Sequence, residues 1–283
     1  MTKFYTDKQQ IVNWLEKHEV KNYILVPDEQ YGFVIDVNGN IDLSDKELIN
    51  IPVKFNEVIG NFWCKYNKLT SLEFCPQTIT DSFDCSVNQL SSLEFCPLNI
   101  KNDFFFYSNK LISLEFCPKI ANGNFYCSDN QLTSLEFCPK NVDGSFSCSS
   151  NKLTSLKFSP QTVGGSLNCS NNKLRSLEFT PQTVGGSFNC SNNKLTSLEF
   201  TPQTVGGSFN CSNNKLASLE FCPETIGGHS YFNNNPLLKK IQEINDFKLI
   251  YLEHKKILIN KLSNKLENEL TNDKIRRTAK IKI

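Results

Sequence analysis

The chain has 283 residues with 30 Lys/Arg against 29 Asp/Glu, a formal net charge of +1, so no overall field directs it to nucleic acid or to a membrane surface. No apolar run approaches membrane-spanning length, and Met1 to Lys17 is charged and lacks the apolar core of a signal peptide. The charge is uneven: residues 236–283 carry 12 Lys/Arg and 6 Asp/Glu, net +6, leaving 18 against 23, net −5, for the residues before them.

At the amino end, Thr6-Asp7-Lys8-Gln9 has the form of a capping box opening a short helix, with Ile11, Trp14, Leu15 and Val12 on one apolar face. Phe33 to Val37, the turn Asn38-Gly39 and Ile41 to Leu43 predict a hairpin, because Asn-Gly suits a type I′ turn. Residues 1–39 are thus expected to cap the first coil of a repeat array that begins at residue 40, with Trp14 as a cap residue rather than a binding residue.

From residue 40 the chain is periodic. Asn67, Asn88, Asn109, Asn130, Asn151, Asn172, Asn193, Asn214 and Asn235 recur at one unbroken 21-residue step, which requires each repeat to be a structural unit stacked on the next. In the unit Gly186 to Thr204, Phe188 and Cys190 alternate with Ser187, Asn189 and Ser191, the period-two pattern of a strand with one buried face. Leu195, Leu198 and Phe200 then fall too irregularly for a helix, and Pro202 and Gly206-Gly207 punctuate the chain before the next strand. Each coil is therefore expected to be one short strand, a turn and an irregular return segment.

The pattern F-x-C-x-x-N-x-L-x-x-L resembles the leucine-rich repeat L-x-L-x-x-N-x-L-x-x-L, with Phe and Cys in place of the first two leucines, from Asn40 to Asn235. The short unit with Pro in its return segment is similar to repeats of bacterial effector proteins. Its wording also resembles leucine-rich repeat proteins encoded by large tailed phages. The resemblance implies a β-solenoid horseshoe, with parallel strands lining a concave sheet, inward asparagines pairing backbone groups between coils, and protein binding as the activity.

Strand centres fall at Ile41, Phe62, Phe83, Phe104, Phe125, Phe146, Leu167, Phe188, Phe209 and Ser230, giving ten coils over residues 40–235. At about 4.8 Å between strands the sheet would be about 43 Å long, room for a protein epitope. Terminal coils depart from the pattern, with Lys46 in place of Asn and Ser230 in place of Phe, as capping coils do.

Twelve cysteines follow the repeat rather than a disulfide or zinc framework. Seven occupy the inward strand position (Cys64, Cys85, Cys127, Cys148, Cys169, Cys190, Cys211) and five precede the proline (Cys75, Cys96, Cys117, Cys138, Cys222). Phe, Ser or Thr replaces them in other coils, and no C-x-x-C pair exists, so they are expected to be small buried hydrophobes in a reducing cytoplasm, with no metal and no cofactor.

Outward strand positions carry the functional asymmetry. Successive coils offer Asn61, Trp63, Lys65 and Tyr66, then Ser82, Asp84, Ser86 and Val87, then Asp103, Phe105, Tyr107 and Ser108, then Asn124, Tyr126, Ser128 and Asp129; later coils offer Ser and Asn until His229 and Tyr231. Solvent-facing aromatics contribute nothing to folding, whereas they dominate interfaces. Trp63, Tyr66, Phe105, Tyr107 and Tyr126 are therefore expected to form a hot spot for a protein partner, with Asp84, Asp103 and Asp129 selecting basic groups on it. The competing expectation is that residues 1 to 35 fold over these aromatics, or that stacking among them merely stiffens the sheet.

Residues 236–283 are rich in Lys, Leu, Ile and Asn. Leu262, Leu266 and Leu270 predict a helix, apolar residues from Leu237 to Leu258 are expected to pack on the last coil, and Lys274 to Ile283 is a basic tail. No aromatic or base-reading motif accompanies these charges, which disfavours nucleic acid. His18, His229 and His254 are far apart, and the Gly-Gly pairs lack the Lys of a phosphate loop, so no catalytic constellation is expected. The alternatives to a protein-binding module are a self-associating scaffold and a nucleic-acid adaptor acting through the basic tail.

Overall fold

The computed structural model describes residues 4–236 and, beyond them, a set of helical residues between 252 and 269. Helix α1 spans Lys8–Lys17 and is capped by Asp7, whose carboxylate accepts from Gln10 N, so the cap stands one residue after Thr6. Its apolar stripe of Ile11, Trp14 and Leu15 is buried, while Val12 is only partly covered. Trp14 stacks on His18 at 4.1 Å between ring centres and meets the edge of Phe55 at 6.3 Å, closing the first end of the core.

The hairpin differs from expectation. Strand β1, Tyr23–Asp28, pairs antiparallel with β2, Gly32–Asn38, through a turn in which Asp28 Oδ1 accepts from Gln30 N and Tyr31 N. Asn38-Gly39 is instead a corner: β2 runs parallel to Phe55–Ile59 in one sheet, whereas Ile41–Asp42 runs parallel to Phe62–Trp63 in another. Gly39 and Gly60 hold φ of 147° and 148° at equivalent corners of successive coils, a backbone open to glycine. The parallel register that the repeat imposes outweighs the local Asn-Gly signal.

The chain then winds as a parallel β-solenoid. Ten two-residue strands, from Ile41–Asp42 through Phe62–Trp63, Phe83–Asp84, Phe104–Phe105, Phe125–Tyr126, Phe146–Ser147, Leu167–Asn168, Phe188–Asn189 and Phe209–Asn210 to Ser230–Tyr231, form one sheet in chain order. Each position pairs with the one 21 residues on, as Phe188 does with Phe209. The return segment is not irregular. It carries a second short strand in most coils: one five-stranded sheet begins with β1, β2 and Phe55–Ile59 and ends at Asn99–Ile100, another runs from Asn141–Val142 to Thr225–Ile226, and between them Ala121 makes a single bridge to Val142. Two residues are too few to show period-two alternation, but Thr162-Val163, Thr183-Val184 and Thr204-Val205 have the β-branched composition that suits a pleated surface.

Between the sheets lies a ladder of buried phenylalanines, with ring centres of neighbouring coils 5.6 to 6.0 Å apart at Phe62, Phe83, Phe104, Phe125 and Phe146. Phe106 takes the place of a cysteine and fills that site by stacking on Phe104 at 4.3 Å. All twelve cysteines are free, and eleven are buried. Burial raises the thiols of the inward strand cysteines above the ordinary range, Cys169 and Cys211 to about 12, because a thiolate has no solvent there. Among the described residues no cluster of three or more His, Cys, Asp or Glu is placed to hold a metal, and no helix is long and apolar enough to cross a membrane.

All nine asparagines of the ladder are buried and fully used. Asn151 Nδ2 donates to Cys127 O in the preceding coil at 3.0 Å and to Cys148 O and Ser149 O in its own coil at 3.2 and 3.1 Å, while its Oδ1 accepts from Leu132 N at 2.9 Å. The residue before each asparagine is left-handed, with φ between 51° and 57° from Tyr66 to Asn234. At the other end, helical residues 262–267 bear out part of the expected helix, with Leu262 and Leu266 exposed, and Leu252, within the stretch expected to pack on the last coil, is exposed as well. Leu237 to Tyr251, Leu270 and Lys274 to Ile283 lie outside the described residues.

Two outcomes are expected. Asn151→Ala strands Leu132 N in the middle of the array and takes one donor from each of three carbonyls, and should cost about 1 to 3 kcal/mol in denaturant melts; a silent substitution would contradict the ladder. The raised thiols also give a pH dependence. Their contribution is fully present below the unfolded value of about 9 and is lost as pH rises from about 9 towards about 12. Melting temperature should decline over that window with thiolate absorbance appearing only on unfolding; thiolate in the folded protein at pH 9 would contradict it.

Candidate functional site

The outward face of the ten-stranded sheet consists of four rows running along the solenoid, and the coil assigns each row a different duty. The row at the start of the strands is a second hydrogen-bond ladder. Asn40 Oδ1 accepts from Asn61 N, Asn61 Oδ1 from Ser82 N, Ser82 Oγ from Asp103 N, Asp103 Oδ1 from Asn124 N at 2.6 Å, and Asn124 Oδ1 from Ser145 N. Ser145, Ser166, Ser187 and Ser208 continue it to His229 N. Asp103 therefore holds the next coil's backbone through Oδ1, a duty that the sequence-based expectation does not include. The signal is present in the sequence: this row is always Asn, Ser or Asp until His229, each with a short side-chain acceptor.

The next row contains Trp63, Asp84, Phe105 and Tyr126 on four adjacent strands in direct register. Asp84 also departs from expectation. It is 5% exposed, its Oδ1 accepts from Ser86 N and from the Ser86 hydroxyl, and its Oδ2 pairs with Lys65 Nζ at 3.4 Å. The same turn is made by Asp42 with Ser44 N, Asn168 with Ser170 N, Asn189 with Ser191 N and Asn210 with Ser212 N. A short Asp or Asn here thus completes the backbone two residues on. Trp63, Phe105 and Tyr126 forgo that bond and leave partly exposed rings, with Phe105 and Tyr126 tilted together at 5.1 Å between centres.

Tyr107 stands in the third row beside Phe105, where every other coil but those of Lys65 and Asn233 places serine; Ser128 Oγ meets Ser147 Oγ at 2.6 Å and Ser149 Oγ at 3.0 Å, and Ser149 itself is buried. The fourth row is the left-handed one. Tyr66 is 51% exposed there, with Lys65 Nζ 6.0 Å from its ring centre, and Asp129 remains exposed at the same position three coils on. Trp63, Phe105, Tyr107 and Tyr126 thus share one stretch of the face, with Asp84 buried between the strands of Trp63 and Phe105, Tyr66 at its rim, and Asp129 as the exposed carboxylate. Of the amino-terminal cap, Phe4 and Tyr31 pack on Phe74, at the turn after Leu72.

Sequence reasoning missed a further row. Phe74 and its counterparts up to Phe221, which the spacing groups with the core leucines, sit in left-handed backbone, and those from Phe95 onward are 40 to 57% exposed.

These features define the class of protein as a parallel-strand β-solenoid with 21-residue coils whose decorated sheet face is built over hydrogen-bond ladders. No family model and no curated protein matches the chain. Among solved structures it is similar to YopM from Yersinia enterocolitica WA-314, at 18% identity and a TM-score of 0.45, over 70% of this chain and 56% of that one. It is also similar to the leucine-rich repeat domain of APL1B, at 15% identity and a TM-score of 0.47, over 84% of this chain and 76% of that one. The chain thus spans little more than half the length of YopM.

The ladder role of Asp103 has a discriminating test. Asp103→Ser should be close to neutral, because serine does the same work at Ser145 and Ser166, whereas Asp103→Ala should cost about 1 kcal/mol. Equal melts for the two variants would show that the carboxylate does not carry the contact.

Proposed function

We propose that the chain is a non-catalytic, leucine-rich-repeat-type module that binds a protein through the aromatic stretch of its sheet. The observation that carries this is the exchange made at Trp63, Phe105 and Tyr126, where a row otherwise suited to short turn-completing residues holds rings that the solenoid does not need. Partly exposed Trp and Tyr side chains that cluster over four strands supply large, stiff apolar contacts with polar edges, the composition of interface hot spots. Tyr107 extends the cluster along one strand, Tyr66 marks its edge, and exposed Asp129 favours a partner with a basic group beside its apolar contact.

The resemblance of the repeat wording to phage-encoded proteins makes a host protein the partner class of first choice, met in the cytoplasm, where twelve free thiols stay reduced. Residues 66 to 129 of the site span three coil steps, about 14 Å, which suits a short epitope rather than a whole domain face.

The test begins with affinity capture from a host lysate and proceeds to a dissociation constant with the purified partner. Trp63→Ala combined with Tyr107→Ala should weaken binding by about two orders of magnitude or more while leaving the melt cooperative. Tyr231→Ala, an exposed aromatic at the far end, and removal of residues 274–283 should leave it unchanged. Full binding by the double variant, or loss on removing the basic tail, would refute this site.

A further inference from the structure

The phenylalanine row on the return side has no structural reason to be phenylalanine. From Phe95 to Phe221 one ring per coil stands in left-handed backbone, φ 64° to 71°, a conformation that glycine and asparagine adopt at lower cost, and each is 40 to 57% exposed. One ring per coil makes a continuous apolar ridge, the kind of surface that marks an interaction site. The first member shows how the ridge is satisfied: Phe74 is covered by Phe4 at 5.2 Å and Tyr31 at 5.9 Å and falls to 6% exposure.

The ridge is also acidic along one side. The residue before the ring is Glu in seven of the eight coils, at 73, 94, 115, 136, 178, 199 and 220, and Lys157 in the other. Lys119 Nζ stands 5.1 Å from the ring centre of Phe137 and Lys157 Nζ 5.0 Å from that of Phe158, so the ring faces accept ammonium groups. Towards the last coil Phe179, Phe200 and Phe221, with Pro202, Pro223 and Glu224, line a groove of about 370 Å³. No lysine covers those three rings among the described residues.

The same chain displays the complementary surface. Leu252, Ile259, Leu262 and Leu266, on helical backbone, are 53 to 60% exposed, with Lys256 and Lys265 also exposed among them; Lys265 is only loosely paired with Glu269, at 4.0 Å. Residues 236–283 are net +6 and the remainder of the chain is net −5. The spacings match. A helix presents one apolar residue per turn every 5.4 Å, about one coil step of 4.8 Å, so the mismatch over three rings is only about 1 Å. Among the described residues, both surfaces stay exposed within one chain.

We propose that two copies of this chain form a reciprocal dimer in which the basic helical stripe around Ile259, Leu262 and Leu266 of each copy lies along the Phe179, Phe200 and Phe221 ridge of the other. A closed two-fold exchange of this kind buries both ridges at once and leaves the aromatic sheet face free.

Sedimentation equilibrium on the full chain tests it. The wild type should be dimeric in the micromolar range. Phe179→Asn/Phe200→Asn/Phe221→Asn removes the rings with a residue that suits left-handed backbone, and Leu262→Ser/Leu266→Ser removes the stripe; each should raise the dissociation constant by at least about 30-fold. Mixing the two variants should recover association, because one copy still offers a ridge and the other a stripe. If the asparagine variant fails to fold, Glu178→Lys/Glu199→Lys/Glu220→Lys tests the same contact through charge and should also dissociate the dimer. A wild type that stays monomeric, a dimer indifferent to both sets of substitutions, or carbodiimide cross-links of Lys265 to the ridge glutamates confined to single chains would overturn the proposal.

Discussion

A carboxamide turned into the core has two N–H groups and two lone pairs to satisfy, and in this molecule the partners for them come from two coils at once. The nine ladder asparagines donate to carbonyls of their own and the preceding coil and accept an amide 19 residues back, so each coil is completed only by its neighbour. Leaving such a group unpaired in the core would cost about 1 to 3 kcal/mol. The step from coil to coil is therefore fixed, and every other row inherits it: the phenylalanine stack, the serine and aspartate ladder at the strand starts, and the paired strands of both flanking sheets. Even the left-handed residue before each asparagine has this origin, since it is what swings the amide inward. Asn171, Asn192, Asn213 and Asn234 suit that backbone, whereas Val87 meets it at a cost that only the surrounding contacts explain.

Because the ladders hold the coil without help from the outward rings, departures on the sheet face carry information about binding. Asp84 and Asp103, which look like surface charges in the sequence, belong to the scaffold, one closing a turn with Ser86 and an ion pair with Lys65, the other holding Asn124 N. Trp63, Phe105, Tyr107 and Tyr126 belong to none of these contacts. The exposed phenylalanine ridge differs in kind. It repeats with the coil, whereas the sheet aromatics are confined to the early coils, so the two surfaces are suited to different tasks: a repeated contact along the solenoid and a local one across its sheet.

Much of the architecture is legible in the sequence because it repeats. The ten strand centres, the inward cysteines and the asparagine step all stand out as fixed spacings, and helix α1 is announced by the Thr6-Asp7-Lys8-Gln9 signal, one residue early, and its apolar stripe. What the sequence hides has a physical reason in each case. After Phe55–Ile59 the return strands are two residues long and so show no alternation, and the Asn38-Gly39 corner imitates a hairpin turn in composition alone, since Gly39 holds φ of 147° and Asn38 has no positive φ. Asp84 and Asp103 mislead because an exposed carboxylate and one that accepts a backbone N–H look alike without coordinates. Phe200 and its counterparts resemble core residues because nothing in the composition reveals the left-handed backbone that turns them outward.

Inter-coil hydrogen bonding is held here to fix the period of the chain, and removal of one coil tests that claim most directly. Deleting residues 165–185 takes out one 21-residue unit and joins equivalent points of two coils. The shortened protein should still melt cooperatively, with native strand content and a modestly lower midpoint, as stacked units with nearest-neighbour coupling do. Deleting one residue fewer, 165–184, displaces both ladders and the phenylalanine stack from register and should abolish cooperative folding. If the two deletions melt alike, the ladders do not set the period, and the claim is wrong.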